Sequence, residues 1–283
     1  MLTLEKFEQA SELVKQVTLP TKLVYSESFS RQTGGKVYLK PENMQYTGAY
    51  KIRGAYYKIS TLSEEERSRG LITASAGNHA QGVACAAQKF GCKATIVMPT
   101  VTPLIKVNRT KGYGAEVVLH GDVYDDACAY ALQLAEENGY TFVHPFDDLD
   151  VATGQGSIAM EIVQELPLVD TILVPIGGGG LACGVGAGRA VARRALLPAG
   201  PAAEKPRTLP APAPETGSID MDALASTLSG IPEPVVALAD LVRDVRLRQG
   251  AADGVFDGAA PLPCALELFL AAELEDADVF SLG

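Results

Sequence analysis

The sequence predicts an α/β protein in which short parallel strands alternate with helices, and two observations carry that expectation. From about residue 36 to 185, near-continuous apolar runs of β-forming residues are separated by stretches with Ala, Leu and charged faces. That is the pattern of parallel sheets flanked by helices on both faces. The places where a strand gives way to a helix also hold distinctive residues: a lysine after a Pro/Gly turn, a Ser-Ala-Gly-Asn-His run, and four consecutive glycines.

Taken in order, Leu4, Phe7, Ala10, Val14 and Val17 follow a helical spacing that predicts one packed face. Strands are expected at residues 37–39, 71–73, 94–98, 116–119, 140–143 and 172–174, with helices at 80–90 and 124–137 among the segments between them. Ser63 followed by Glu66 has the spacing of a capping box. Gly91 and Gly139 stand where helices end. After about residue 185 the composition changes. All ten tyrosines, all three histidines and all four asparagines lie before that point, and 10 of the 17 prolines lie after it. Eleven lysines and 5 arginines precede it, against 1 lysine and 7 arginines beyond. Residues 198–214 read as linker. The apolar runs at 235–242 and 266–274 read as isolated helices.

The 283-residue chain, 47% hydrophobic, can bury a large core and is expected to form two lobes. Its net charge of −10 opposes binding to a phosphate backbone, so nucleic acid is excluded as the expected partner in favour of a small molecule. No apolar run is long enough to span a bilayer. The opening MLTLEKFEQASEL is amphipathic and acidic rather than a basic leader. No membrane association and a cytoplasmic location are therefore expected. Cys85, Cys92, Cys128, Cys183 and Cys264 are scattered, without metal-ligand spacing. Neither a disulfide nor a metal is expected, and most of these thiols are expected to be buried apolar packing.

Three segments carry chemistry. In the run from Tyr38 to Ala55, Lys51 falls in the first turn of a helix that follows a strand and a Pro/Gly turn. There the positive end of the helix dipole disfavours the protonated amine, and only a neutral amine attacks a carbonyl. Alone, the same residue also fits an exposed helix lysine. The run Thr73-Ala74-Ser75-Ala76-Gly77-Asn78-His79 sits at a second strand-to-helix junction, where backbone N–H groups suit a carboxylate. An ordinary helix start, with Asn78 as its cap, fits too. In Pro175-Ile176-Gly177-Gly178-Gly179-Gly180-Leu181, four glycines let backbone N–H groups converge on one phosphate. That loop lacks the ending of a nucleotide P-loop and the spacing of the dinucleotide fingerprint. The combination is far more specific than any one segment.

Together the segments resemble the lysine motif, the S-x-G-N-H loop and the tetraglycine loop of fold-type II pyridoxal-phosphate enzymes, within which the match is to threonine/serine ammonia-lyases (threonine dehydratases). The resemblance covers about residues 1–185. His144-Pro145-Phe146-Asp147-Asp148 and Gly154-Gln155-Gly156 also match that pattern. It implies a two-lobed α/β fold of the tryptophan synthase β type: a large cofactor-binding domain of residues 1–70 and 147–185, incomplete in its later part, and a small domain of 71–146. Pyridoxal 5'-phosphate is the implied cofactor. Lys51 would carry it and later move the substrate α-proton, and Tyr50 would pack on its ring. Asn78 would face its hydroxyl. Gly177, Gly178, Gly179, Gly180 and Leu181 would bind its phosphate through backbone N–H groups. Ser75, Asn78 and His79 would surround the substrate carboxylate, with Ser75 also placed among the catalytic residues. Similar racemases carry a serine where this chain has Ala76, which points to elimination rather than racemisation. The implied activity is dehydration and deamination of L-threonine to 2-oxobutanoate, or of L-serine to pyruvate, with release of ammonia. A homo-oligomer is expected if the tail folds.

Residues 186–283 depart from the family. No S-G-G-N-like segment to meet the pyridine nitrogen, acidic cation site or L-A-D-G loop is evident, and Ala237-Leu238-Ala239-Asp240 is only a faint echo. The tail is expected to be foreign sequence, from a shifted frame, a fusion or a faulty gene reading, with a diverged family C-terminus as the other account. The foreign tail would leave an impaired enzyme.

Overall fold

The structure, a computed structural model, describes residues 2–196 and 235–238. In chain order its elements are α1 (Leu4–Val14), β1 (Val24–Tyr25), α2 (Glu27–Thr33), β2 (Val37–Lys40), α3 (Lys51–Thr61), α4 (Glu64–Arg69), β3 (Leu71–Ala74), α5 (Asn78–Phe90), β4 (Ala94–Met98), α6 (Leu104–Gly112), β5 (Glu116–Leu119), α7 (Tyr124–Asn138), β6 (Thr141–Phe142), α8 (Leu149–Glu165), β7 (Thr171–Leu173), α9 (Gly180–Leu196) and β8 (Val235–Leu238). They form two compact units. The first comprises residues up to Pro20, 44–160 and 178–189; the second comprises 21–43, 161–177 and the described residues from Ala190 on.

The first unit is organised on a sheet of order β5-β4-β3-β6, every pair parallel. Its central strands β3 and β4 are buried along their whole length, and its edges are half-buried or exposed. Side chains alternate between the two faces, as the strand period requires. Leu71, Ala94, Ile96 and Met98 pack with Ala80, Val83, Ala84 and Ala87 of α5, whereas Ile72, Ala74 and Val97 pack with Ala127 and Ala131 of α7. An apolar face on each side explains why these strands read as continuous apolar runs. β6 is shorter than the expected 140–143. The carbonyl of Val143 accepts the Thr73 hydroxyl at 2.7 Å and bonds the His79 ring at 3.0 Å, so it is occupied by side chains where a ladder would continue.

Local signals hold where they were expected. Ser63 and Glu66 close a reciprocal capping box at α4, and Gly91 and Gly139 end α5 and α7 in left-handed conformation. In α1, Phe7, Ala10 and Val14 are buried; Val17 is buried in the turn beyond the helix, and Leu4 is half-exposed. Of the cysteines, Cys85 alone is buried among those described; Cys92 and Cys128 are half-buried and Cys183 is exposed, contrary to the expectation of mostly buried thiols. Cys264 lies outside the described residues.

The second unit carries a sheet of order β1-β2-β8-β7, antiparallel at β1–β2 and parallel elsewhere. Here the sequence reading needs correction. Residues 235–242 read as a helix, yet Val235–Leu238 is a strand, paired with both Val37–Lys40 and Thr171–Leu173. A short apolar run does not distinguish the two conformations by period, and the backbone of Val235–Leu238 is paired along both edges, by β2 and by β7. Lys40 is fully buried in this unit, donating to the Thr21 carbonyl and the Glu161 carboxylate. The change of composition near residue 186 falls inside α9, which packs on both sides of it: Gly184 lies against Ala152, Gly188 against the Gly156 carbonyl, and Ala192 is buried. The linker reading of 198–214, the helix reading of 266–274, and Ala239 and Asp240 of the faint echo lie outside the described residues.

Candidate active site

Lys51 is the first residue of α3, with Tyr50 at the N-cap in helical conformation. No acidic side chain stands in the first turn of that helix. The Lys51 amine is half-buried, donates to the Pro145 carbonyl at 2.9 Å and lies 5.6 Å from the centre of the Tyr50 ring. A close approach of α5 puts the Ser-Ala-Gly-Asn-His loop beside it. A Cβ at Gly82 would stand 3.1 Å from the Lys51 carbonyl carbon and 3.2 Å from the Ile52 nitrogen, so the contact of α5 with α3 depends on a missing side chain.

Ser75 ends the strand side of this loop and is nearly buried; its hydroxyl accepts the Gly77 N–H at 3.2 Å. Gly77, not Asn78, is the N-cap of α5, and it makes no side-chain cap bond. The half-buried Asn78 is the first helical residue. His79 is buried. Burial, and then the Lys51 charge, hold its imidazole down to about 3, so it is neutral. Its Nε2 carries the proton toward the Val143 carbonyl, and its Nδ1, an acceptor, has no partner. What His79 can offer a carboxylate is thus its backbone N–H.

The glycine loop leads from β7 into α9 as expected. Gly177 and Gly178 are exposed, Gly179 is left-handed at φ 86°, and Gly180 begins the helix. Leu181 is buried, and α9 has no acidic residue in its first turn. Phe146 lies against the loop: a Cβ at Gly178 would overlap the Phe146 ring, and one at Gly180 would stand 2.6 Å from the Phe146 carbonyl oxygen. Only glycine fits either place. Backbone N–H groups at a helix start whose first turn carries no carboxylate suit a phosphate. The cradle fits the phosphate of pyridoxal phosphate, and Lys51 fits its aldehyde.

Sequence reasoning did not assign a role to residues 143–148, yet they meet both ends of the site. His144 Nδ1 accepts the Phe146 and Asp147 N–H groups at 3.3 and 2.7 Å, and burial lowers its pKa first among several causes. Asp148 accepts the first N–H groups of α8 from Asp150 and Val151 and pairs with Lys58 at 2.8 Å. Burial pushes the Asp148 carboxyl up, but Lys58 and the helix amides outweigh it and hold it below the ordinary range. The motif match at 144–148 marked the segment; nothing in the residues themselves disclosed what it touches. Gly54 and Gly154 were equally silent: a Cβ on Gly154 would meet the Arg53 carbonyl at 2.6 Å, where α8 crosses α3.

Comparison with known proteins shows the family. Residues 14–245 match the family described as pyridoxal-phosphate dependent enzyme. An L-threonine ammonia-lyase of Thermotoga maritima is 55% identical over 185 residues, 65% of this chain and 46% of that protein. The processed threonine deaminase isoform 2 of Solanum lycopersicum superposes with a TM-score of 0.62 at 43% identity, over 65% of this chain and 54% of that one. Serine racemase of Dictyostelium discoideum does so with a TM-score of 0.63 at 33% identity, over 69% and 62%. The chain spans about half the length of the threonine ammonia-lyase and deaminase it matches. With the family matched over most of its length, an α/β fold and a lysine and glycine cradle in place, the chain belongs to the pyridoxal-phosphate-dependent enzymes of fold type II.

Proposed function

We propose that this chain carries the site for dehydration and deamination of L-threonine, with L-serine as the smaller substrate. The observation that supports the reading best is the convergence of the Lys51 amine and the glycine loop on one short turn, Lys51 at the Pro145 carbonyl and Gly178 and Gly180 at Phe146. Bound there, pyridoxal phosphate supplies an electron sink for negative charge developing at the substrate α-carbon. Lys51 would hold the aldehyde end, and its amine is the base placed to take the substrate α-proton. Gly177, Gly178, Gly179, Gly180 and Leu181 hold the phosphate through backbone N–H groups, Tyr50 flanks the ring, and Asn78 faces its hydroxyl. Ser75, Asn78 and the His79 backbone hold the carboxylate. Loss of the β-hydroxyl as water and hydrolysis of the product release a 2-oxo acid and ammonia.

The half-buried Ala76 bears no group able to return a proton from the opposite face, which favours elimination over racemisation. A second reading, a cofactor-binding chain with poor turnover, is favoured by the change of composition after residue 185. One experiment separates the readings. The protein is loaded with the cofactor, reduced with borohydride and mapped by peptide, while 2-oxobutanoate and D-serine are measured. Label on Lys51, oxo-acid release and little D-serine are expected. Label without turnover establishes the second reading, and label on another lysine overturns the assignment of Lys51.

A further inference from the structure

We infer that residues 143–148 form a rigid spacer between the lysine end and the phosphate end of the site, with Phe146 the positioning residue for the glycine loop. The inference rests on the cofactor reading proposed above and adds a part that reading does not contain. A run of four glycines has no side chains with which to fix its own path, and glycine has the most backbone freedom to lose. A phosphate cradle works only if its N–H groups are already aimed. Here the aim comes from outside the loop. The Phe146 ring fills the space where a Gly178 side chain would be, and the Phe146 backbone fills that of Gly180. One residue earlier, the Pro145 carbonyl receives the Lys51 amine.

The spacer is itself held at both ends. Upstream, the Val143 carbonyl is gripped by Thr73 Oγ1 of β3 and His79 Nε2 of α5. In the middle, His144 Nδ1 ties down the N–H groups of Phe146 and Asp147, and the His144 ring stands edge-on to the Phe146 ring at 4.7 Å. Downstream, Asp148 is fixed by the start of α8 and by Lys58 of α3, the helix that Lys51 begins. A displacement of Phe146 would therefore loosen the phosphate cradle while Lys51 keeps its place on α3.

The test compares two ligands that differ only in the phosphate, pyridoxal phosphate and pyridoxal, titrated by absorbance against wild-type protein and the variants Phe146→Ala and Phe146→Leu. Wild type is expected to prefer the phosphorylated ligand. In Phe146→Ala that preference should shrink by about ten- to a hundredfold, the value of one or two charge-assisted hydrogen bonds, with pyridoxal affinity unchanged. Phe146→Leu should recover part of it. If Phe146→Ala fails to fold, Phe146→Leu and Gly180→Ala, which pushes the loop off the same backbone, should both reduce the preference. An equal loss for both ligands, or an unchanged preference, overturns the spacer while leaving the cofactor reading standing. A wild-type protein that does not prefer the phosphorylated ligand overturns both.

Discussion

Each unit of this protein is built on a four-stranded sheet, but the two are assembled in opposite ways. The first takes all its strands from one stretch, Leu71 to Phe142, and each is followed by a helix before the next parallel strand. The second gathers Val24–Tyr25, Val37–Lys40, Thr171–Leu173 and Val235–Leu238 from distant parts of the chain and includes one antiparallel pair. Contacts between near neighbours in sequence close short loops, whereas the second sheet must close long ones before its central strand is paired. The first sheet is thus encoded locally, and the second depends on segments that carry no sign of each other.

The sharpest way to break this comparison is to place proline in the middle strand of each sheet. Ile96→Pro and Val236→Pro should each destabilise by about 3 kcal/mol or more, read by urea denaturation. Their hydrogen-exchange signatures should differ. The first should strip amide protection from Leu71–Ala74 and Glu116–Leu119, the second from Val37–Lys40 and Thr171–Leu173. Unchanged protection at Val37–Lys40 in Val236→Pro would show that the second sheet is paired differently.

Acid should distinguish the units at a smaller scale, because all three histidines, His79, His120 and His144, lie in the first. Burial holds the folded pKa of His79 at about 3, below its ordinary 6.5. Above 6.5 the ring is neutral folded or unfolded, and it has no effect on the balance. As pH falls from 6.5 toward 3 the unfolded chain takes up a proton that the folded one refuses, so stability declines through that window. At pH 5 the loss relative to pH 7 should be about 2 kcal/mol, and His79→Phe should flatten the profile. A wild-type profile level between pH 7 and pH 5 would show that His79 ionises in place.

The smallest expected effect tests a feature that is local in every sense. Ser63→Ala removes the capping box of α4 and should cost about 1 kcal/mol, without changing cofactor titration. A larger loss, or one that reaches the site, would mean that α4 supports more than its own first turn.

By itself the sequence determined the elements whose physics is local. The continuous apolar runs of β3 and β4 required helices on both faces, the Ser63/Glu66 box set where α4 begins, and Gly91 and Gly139 set where α5 and α7 end. Lys51, the Ser75–His79 loop and the four glycines were legible because each sits at a junction between a strand and a helix, where residue type and backbone conformation are tightly linked. Tertiary structure alone decided the rest. Val235–Leu238 is a strand because two open edges receive it; an apolar run so short has no period of its own with which to choose. The change of language near residue 186 does not interrupt α9, because helix packing through Gly184 and Gly188 responds to the size of a side chain rather than to composition. Phe146 acquires its place only when the glycine loop is laid over it, and His79 becomes a neutral anchor for Val143 only once burial has stripped it of solvent. Contacts between residues far apart in the chain leave no mark at either position, so no reading of the residues one segment at a time could disclose them.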